Sequence, residues 1–152
     1  MKRWLATLAA LLVGGAITLS HGAPAPQARR RVINHPNKPV VAPFSEAILT
    51  GDTLYLAGQI GLDPKTGMPP AEIEKEAHLL LDGIMGTLAE AGMTIDDLVY
   101  VQVYCSDLSL FDRFNAVYRG YFTKEFPARA FIGAGSLLRG GHFELQAIAV
   151  RR

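Results

Sequence analysis

The sequence holds a single cysteine, Cys105, and only four histidines among 152 residues. One cysteine excludes an internal disulfide framework and any cysteine-based zinc site. No two of His21, His35, His78 and His142 have ligand spacing on a common element, so no metal site is expected. Charge of one sign is also missing. The 15 Lys+Arg stand against 14 Asp+Glu, a net charge of +1, which leaves no basic footprint for nucleic acid. No G-x-S-x-G elbow surrounds Ser45, Ser106, Ser109 or Ser136. Gly133-Ala134-Gly135-Ser136 lacks the lysine and helix start of a phosphate loop. Cys105 lies inside a strand-like run and reads as a small core residue rather than a thiolate. Low-complexity sequence is confined to one linker, and internal repeats are absent.

Long apolar runs occur only at the N-terminus. Met1–Arg3 is a basic start, Trp4–Leu19 is apolar and uncharged, and Ser20-His21-Gly22-Ala23 leads to Pro24 and Pro26. That order is the pattern of a secretory signal peptide. The run is shorter than the roughly 20 residues of a spanning helix. Residues 1–22 are therefore expected to be a cleaved leader, with a cut after Ala23 and a retained anchor as alternatives. Residues 23–31, a Pro-Ala stretch ending in Arg29-Arg30-Arg31, read as a disordered or extended linker. The mature chain is expected in the periplasm or outside the cell, with no stable membrane insertion. Lys2 and Arg3 leave with the leader, so 13 basic residues face 14 acidic ones and the net charge becomes −1. The remaining chain of about 130 residues suffices for one domain, burying roughly two thirds of its surface.

That domain, 32–152, alternates between two periods. Phe44–Thr50 and Thr53–Gly58 flank Gly51-Asp52 and predict a hairpin, after a short first strand near Val32. Asp63-Pro64-Lys65-Thr66-Gly67 has turn chemistry. Ile73, Ala77, Leu80, Leu81, Ile84 and Leu88 form one apolar stripe, which predicts a helix over about 71–91. Pro69-Pro70 precedes it, Glu72, Glu74 and Glu76 complement its dipole, and Gly92 stops it. Leu98–Cys105 is rich in β-branched and aromatic residues and predicts a strand. A second helix is expected over about 110–125, with Ser109 and Asp112 as a capping box and Pro127 as its stop. Ala128–Ile132 and His142–Val150 predict two final strands. The order β-β-β-α-β-α-β-β implies a two-layer α+β domain, a six-stranded sheet with two helices on one face. Tyr55, Val101, Val103 and Phe143 are candidates for an apolar opposite face, which would call for self-association.

Arg129 enters a strand of small and apolar residues. Its planar fork can grip a carboxylate at two points. The alternative is a structural salt bridge, for instance to Glu144.

Several separated segments carry a resemblance. Ala57-Gly58-Gln59-Ile60, Asp63-Pro64-Lys65-Thr66-Gly67, Phe126-Pro127-Ala128-Arg129 and Ala147-Ile148-Ala149-Val150 occur in this order. With Asn115 in its FNAVYRGYF context and the tail Ile148–Arg152, they resemble the RidA (reactive intermediate deaminase, YjgF) family from about His35 onward. The resemblance implies a chorismate-mutase-like fold, a mixed sheet, a homotrimer and a small-molecule cleft between subunits. It implies hydrolysis of reactive 2-imino and 2-enamino acids to 2-keto acids and ammonia, without a cofactor. Arg129 would bind the substrate carboxylate, Gly58 would form a wall of the site, and Asn115 would lie nearby. Gln146 takes the place of a glutamate that would orient and deprotonate water, and an amide can only orient it. Phe44, Ala57 and Phe131 replace a tyrosine, a serine and a cysteine, which implies a drier cleft. Without hydrolysis, the same residues would make a binding module for small carboxylates. A ribonuclease reading, attached to some relatives, is disfavoured by the net charge of −1 and the lack of a histidine pair.

Overall fold

The computed structural model describes residues 29–35 and 43–152. The expected leader and the Pro-Ala part of the expected linker lie outside these residues. Six strands and two helices follow the expected order. They are β1 (Arg30–Ile33), β2 (Ala47–Thr50), β3 (Thr53–Ile60), α1 (Ile73–Glu90), β4 (Leu98–Cys105), α2 (Phe111–Arg119), β5 (Ala128–Gly133) and β6 (Phe143–Val150). The sheet order is β1-β2-β3-β6-β4-β5. All pairings are antiparallel except β4 with β5, so the sheet is mixed.

The strand period explains the layers. Leu54 and Leu56 on β3, Val101, Val103 and Cys105 on β4, and Phe143, Leu145, Ala147 and Ala149 on β6 are all buried. They face the stripe of α1, where Ala77, Leu80, Leu81, Ile84 and Leu88 are almost fully enclosed. The opposite face is mixed. Gln102 lies between Tyr100 and Tyr104, accepting from the Tyr100 hydroxyl at 3.2 Å and donating to the Tyr104 oxygen at 2.6 Å. This corrects the expected apolar face. Val101, Val103 and Phe143 lie under the helices, and only Tyr55, 49% exposed, lies on the open side. The parity of each strand decides the matter, and residue type alone does not carry parity.

Three smaller corrections concern boundaries. β1 begins at Arg30, inside the expected linker, because Arg30 and Arg31 pair with Thr50 and Leu49. The Arg31 and Arg151 guanidinium groups both donate to the carbonyl of Ala91, at 3.5 and 2.9 Å, and so cap the negative end of α1. Helix α2 is shorter than expected and stops at Gly120, although Tyr121 and Phe122 continue the apolar stripe. Its start has no Ser109 box. Instead the Asp107 carboxylate accepts from the Ser109 amide at 2.9 Å and caps the 3-10 turn Leu108–Leu110 that leads into α2.

One buried carboxylate ties the layers together. Glu76 on α1 is 0% exposed. Its Oε1 accepts from the amides of His142 and Phe143 at 2.6 and 3.1 Å, and Oε2 lies 2.7 Å from His142 Nδ1. The start of β6 is thereby fixed against α1.

Candidate functional site

Apart from Gln146, the residues singled out in the sequence fall into two groups on opposite faces of the sheet. The first surrounds Arg129. β5 runs parallel to β4 with Arg129 opposite Val101, so its side chain leaves on the helix-covered face. There it meets α2. Nη2 donates to Asn115 Oδ1 at 2.6 Å. The guanidinium lies over the Tyr118 ring, 4.5 Å from its centroid, and 5.6 Å from that of Phe131. Such stacking holds the planar group at a fixed tilt. Phe111, Asn115 and Tyr118 face Arg129 together because they are spaced four and three residues apart on one helix. Phe131 is wedged edge-on between Phe111 and Phe114, with centroids 4.9 and 5.6 Å away. A cleft of about 480 Å³ opens here, lined by Asn115, Tyr118, Arg119, Phe126, Pro127 and Arg129 among others.

Arg129 Nη1 is buried and has no hydrogen-bond partner. Burial lowers the Arg129 pKa, and the adjacent Tyr118 partly opposes this. The group nonetheless stays charged at any ordinary pH. A charged, partly dry guanidinium with an unpartnered Nη1 is a strong site for an anion. The salt bridge to Glu144 does not form, because Glu144 belongs to the other face.

The second group surrounds Gly58. The register of β3 against β6 slips between Leu56 and Gln59, so β3 carries one extra residue there. This β-bulge turns Ala57 and Gly58 away from regular pairing. Glu144 on β6 pairs with Tyr104, so it emerges on the open face, and its carboxylate reaches across to Gly58. A methyl group on Gly58 would collide with Glu144 Oε1 and lie only 3.1 Å from its Cδ. Glycine is therefore what admits the carboxylate. A hollow of about 350 Å³ is lined by Phe44, Ala57, Gly58, Ile60, Leu62, Leu138, Arg139 and Glu144.

Gln146 belongs to neither group. It lies two residues along β6, opposite Gln102, and its amide reaches toward the Tyr104 hydroxyl at 3.4 Å. It lines a separate hollow of about 180 Å³ with Tyr55, Tyr100 and Ile148. Beside Gly58 lies Glu144, two residues before Gln146 on the same strand. Tyr118 enters the sequence analysis only within the FNAVYRGYF segment. Its spacing from Asn115 was the available signal. Cys105 is buried, its thiol donating to the carbonyl of Asp107 at 3.0 Å, and burial pushes its pKa up. Among the described residues no three His, Cys, Asp or Glu side chains group as metal ligands.

The arrangement is chemically suggestive. One surface offers a fixed cation, and the other offers a carboxylate in a hollow whose lining is apolar apart from Glu144 and Arg139. In a single chain they face opposite ways, so one small ligand cannot touch both.

The chain resembles known proteins over most of its length. Residues 35–151 match the family described as Endoribonuclease L-PSP. The 2-iminobutanoate/2-iminopropanoate deaminase of Capra hircus is 37% identical over 124 residues, 80% of this chain and 90% of that protein. The crystal structure of the YjgF gene product of Escherichia coli superposes with a TM-score of 0.75 at 33% identity, covering 80% of this chain and 99% of that one. The Escherichia coli TdcF structure with bound serine has the same TM-score of 0.75 at 28% identity, covering 80% and 99%.

Proposed function

Because this chain belongs to the RidA/YjgF family, we propose that it hydrolyses reactive 2-imino acids to 2-keto acids and ammonia at sites shared between subunits of a homotrimer. The observation that carries the reading is Arg129, turned inward with Nη1 unpartnered and no ion pair to an acid among the described residues. A curated relative named for this reaction supports it. The opposed faces of Arg129 and Glu144 support the shared site. A neighbouring copy can bring the Glu144 hollow of one chain against the Arg129 cleft of the next, and a cyclic trimer repeats that contact three times.

The chemistry needs little more. A protonated 2-imino acid carries an electrophilic carbon next to its carboxylate. Arg129, held by Asn115 and stacked on Tyr118, grips the carboxylate and fixes the plane of the imine. Glu144 takes a proton from a water as that water's oxygen bonds to the imine carbon. The same proton passes to the nitrogen. The C–N bond then breaks, ammonia leaves with the electron pair, and the remaining hydroxyl proton is lost as the C=O bond of the keto acid forms. In this account Glu144 supplies the base that Gln146, an amide, cannot be. The apolar Phe44, Ala57 and Phe131 limit the water around the imine, so the reacting molecule is the one that Glu144 holds. With residues 1–22 acting as a cleaved leader, this activity would lie in the periplasm or outside the cell.

The test is ammonia release from freshly generated 2-iminopropanoate by the purified mature protein. The wild type should exceed the spontaneous rate, and Arg129→Ala should abolish the excess. Equal rates for the two would refute catalysis by this route. If the wild type binds pyruvate through Arg129 yet releases no ammonia, the chain is a carboxylate-binding module.

A further inference from the structure

Arg129 Nη1 is not the only orphan in its cleft. The hydroxyl of Tyr118 is also buried without a hydrogen-bond partner, and the residue is 4% exposed. Buried polar atoms in folded proteins are nearly always satisfied. Two unsatisfied donors on adjacent side chains, both lining one cleft, mark a place for an absent acceptor. The guanidinium carbon lies 4.5 Å from the Tyr118 ring centroid, so the two side chains are in direct contact.

We propose that Tyr118 is a second carboxylate-binding residue, whose hydroxyl and Arg129 Nη1 each donate to the carboxylate of one substrate acid. The inference rests on the Arg129 reading above and adds a residue to it. The remaining Arg129 contacts explain why this pair is left over. Nη2 gives one hydrogen to Asn115 at 2.6 Å, which fixes the guanidinium and leaves Nη1 for the acid. Tyr118 supplies a second, uncharged donor. Burial raises its pKa to about 12, so the hydroxyl remains a proton donor wherever the enzyme works. The anchor it completes is neutral and cannot repel the cation beside it. Stacking of the ring with Arg129 keeps the two donors in register. Asn115, Tyr118 and Arg129 thus form one anion cradle built on α2 and β5.

The test uses pyruvate as a stable probe and Tyr118→Phe as the perturbation. This substitution keeps the ring under Arg129 and removes only the hydroxyl. Without ligand, Tyr118→Phe should melt at or slightly above the wild-type temperature, because it removes an unsatisfied group. With pyruvate, its dissociation constant by calorimetry should rise roughly tenfold, the scale of one hydrogen bond to a charged group. On 2-iminopropanoate, KM should rise similarly while kcat changes less than about twofold. A lower melting temperature with unchanged pyruvate affinity would overturn the inference and show that the hydroxyl is structural. Unchanged affinity at an unchanged melting temperature would overturn it as well. Arg129→Ala, run in parallel, separates the two claims. If it loses pyruvate binding while Tyr118→Phe keeps it, only the role of Tyr118 fails. If neither variant loses binding, the Arg129 reading fails too.

Discussion

Substituting Gly58 by alanine should disable the site while leaving the fold intact. The new methyl group would collide with Glu144 Oε1, and it would stand 3.1 and 3.3 Å from Cδ and Cγ. The end of a flexible side chain can swing away, so the backbone need not move. Gly58 is not among the glycines with positive φ, which adds no backbone strain for alanine. Loss of glycine also restricts the unfolded chain, worth about 0.4–1 kcal/mol in favour of folding. Stability should therefore stay within about 1 kcal/mol of the wild type. Catalysis should not. Clearing the methyl group requires the carboxylate to move by about an ångström, and such a misplacement costs on the order of 10²-fold in rate. Glu144→Gln should cost on the order of 10²–10⁴-fold. Because both changes act through one carboxylate, the double variant should be no slower than Glu144→Gln alone. The assay is ammonia release from 2-iminopropanoate, paired with thermal unfolding of each variant. Full activity in Gly58→Ala, or strictly additive losses in the double variant, would refute the role given to Glu144.

Other perturbations test the frame. At Gly61 a methyl group would strike the carbonyl of Glu76 and lie 3.0 Å from the amide nitrogen of Leu80, both backbone of α1. Gly61→Ala should destabilise by roughly 1–3 kcal/mol in a denaturant titration, in contrast to Gly58→Ala. Glu76→Ala strips the amides of His142 and Phe143 of their acceptor in a buried setting and should cost about 3 kcal/mol or more, whereas Glu76→Gln should cost less because one oxygen remains. The Arg113 guanidinium donates to both oxygens of Glu74 at 2.6 Å and holds its carboxyl near a pKa of about 2, below the usual 4.5. A depressed carboxyl pKa favours the folded state above the unfolded value. The contribution of this pair should be complete above about pH 4.5 and vanish as pH falls toward 2, and carboxyl titration by NMR in Arg113→Ala should show Glu74 returning toward its usual value.

Much of the fold could be read because its signals are local. The strand Leu98–Cys105 and the helix around the Ile73–Leu88 stripe were set by composition and period over a single window. The hairpin followed from Gly51-Asp52, and Gly51 indeed takes a positive φ of 57°. What escaped was non-local. The side of the sheet that Val103 or Phe143 faces depends on which strands pair and in what register. The bulge at Ala57-Gly58 arises only between β3 and β6, and it brings Glu144, rather than Gln146, to Gly58. Helix α2 ends at Arg119, although Tyr121 and Phe122 continue the apolar spacing. Of the site, Arg129 and its Asn115 contact lay among the residues read from the sequence. Tyr118 did not, since an aromatic on a helical stripe carries no sign of an unpaired hydroxyl.

The most direct measurement mixes two inactive proteins. Arg129→Ala keeps an intact Glu144 hollow, and Glu144→Gln keeps an intact Arg129 cleft. Unfolded together and refolded as mixed trimers, verified by native mass spectrometry, they should regain roughly a quarter of wild-type ammonia release, because random assembly pairs two intact halves at about one contact in four. Mixed trimers that form and remain as inactive as their parents would contradict a site shared between chains.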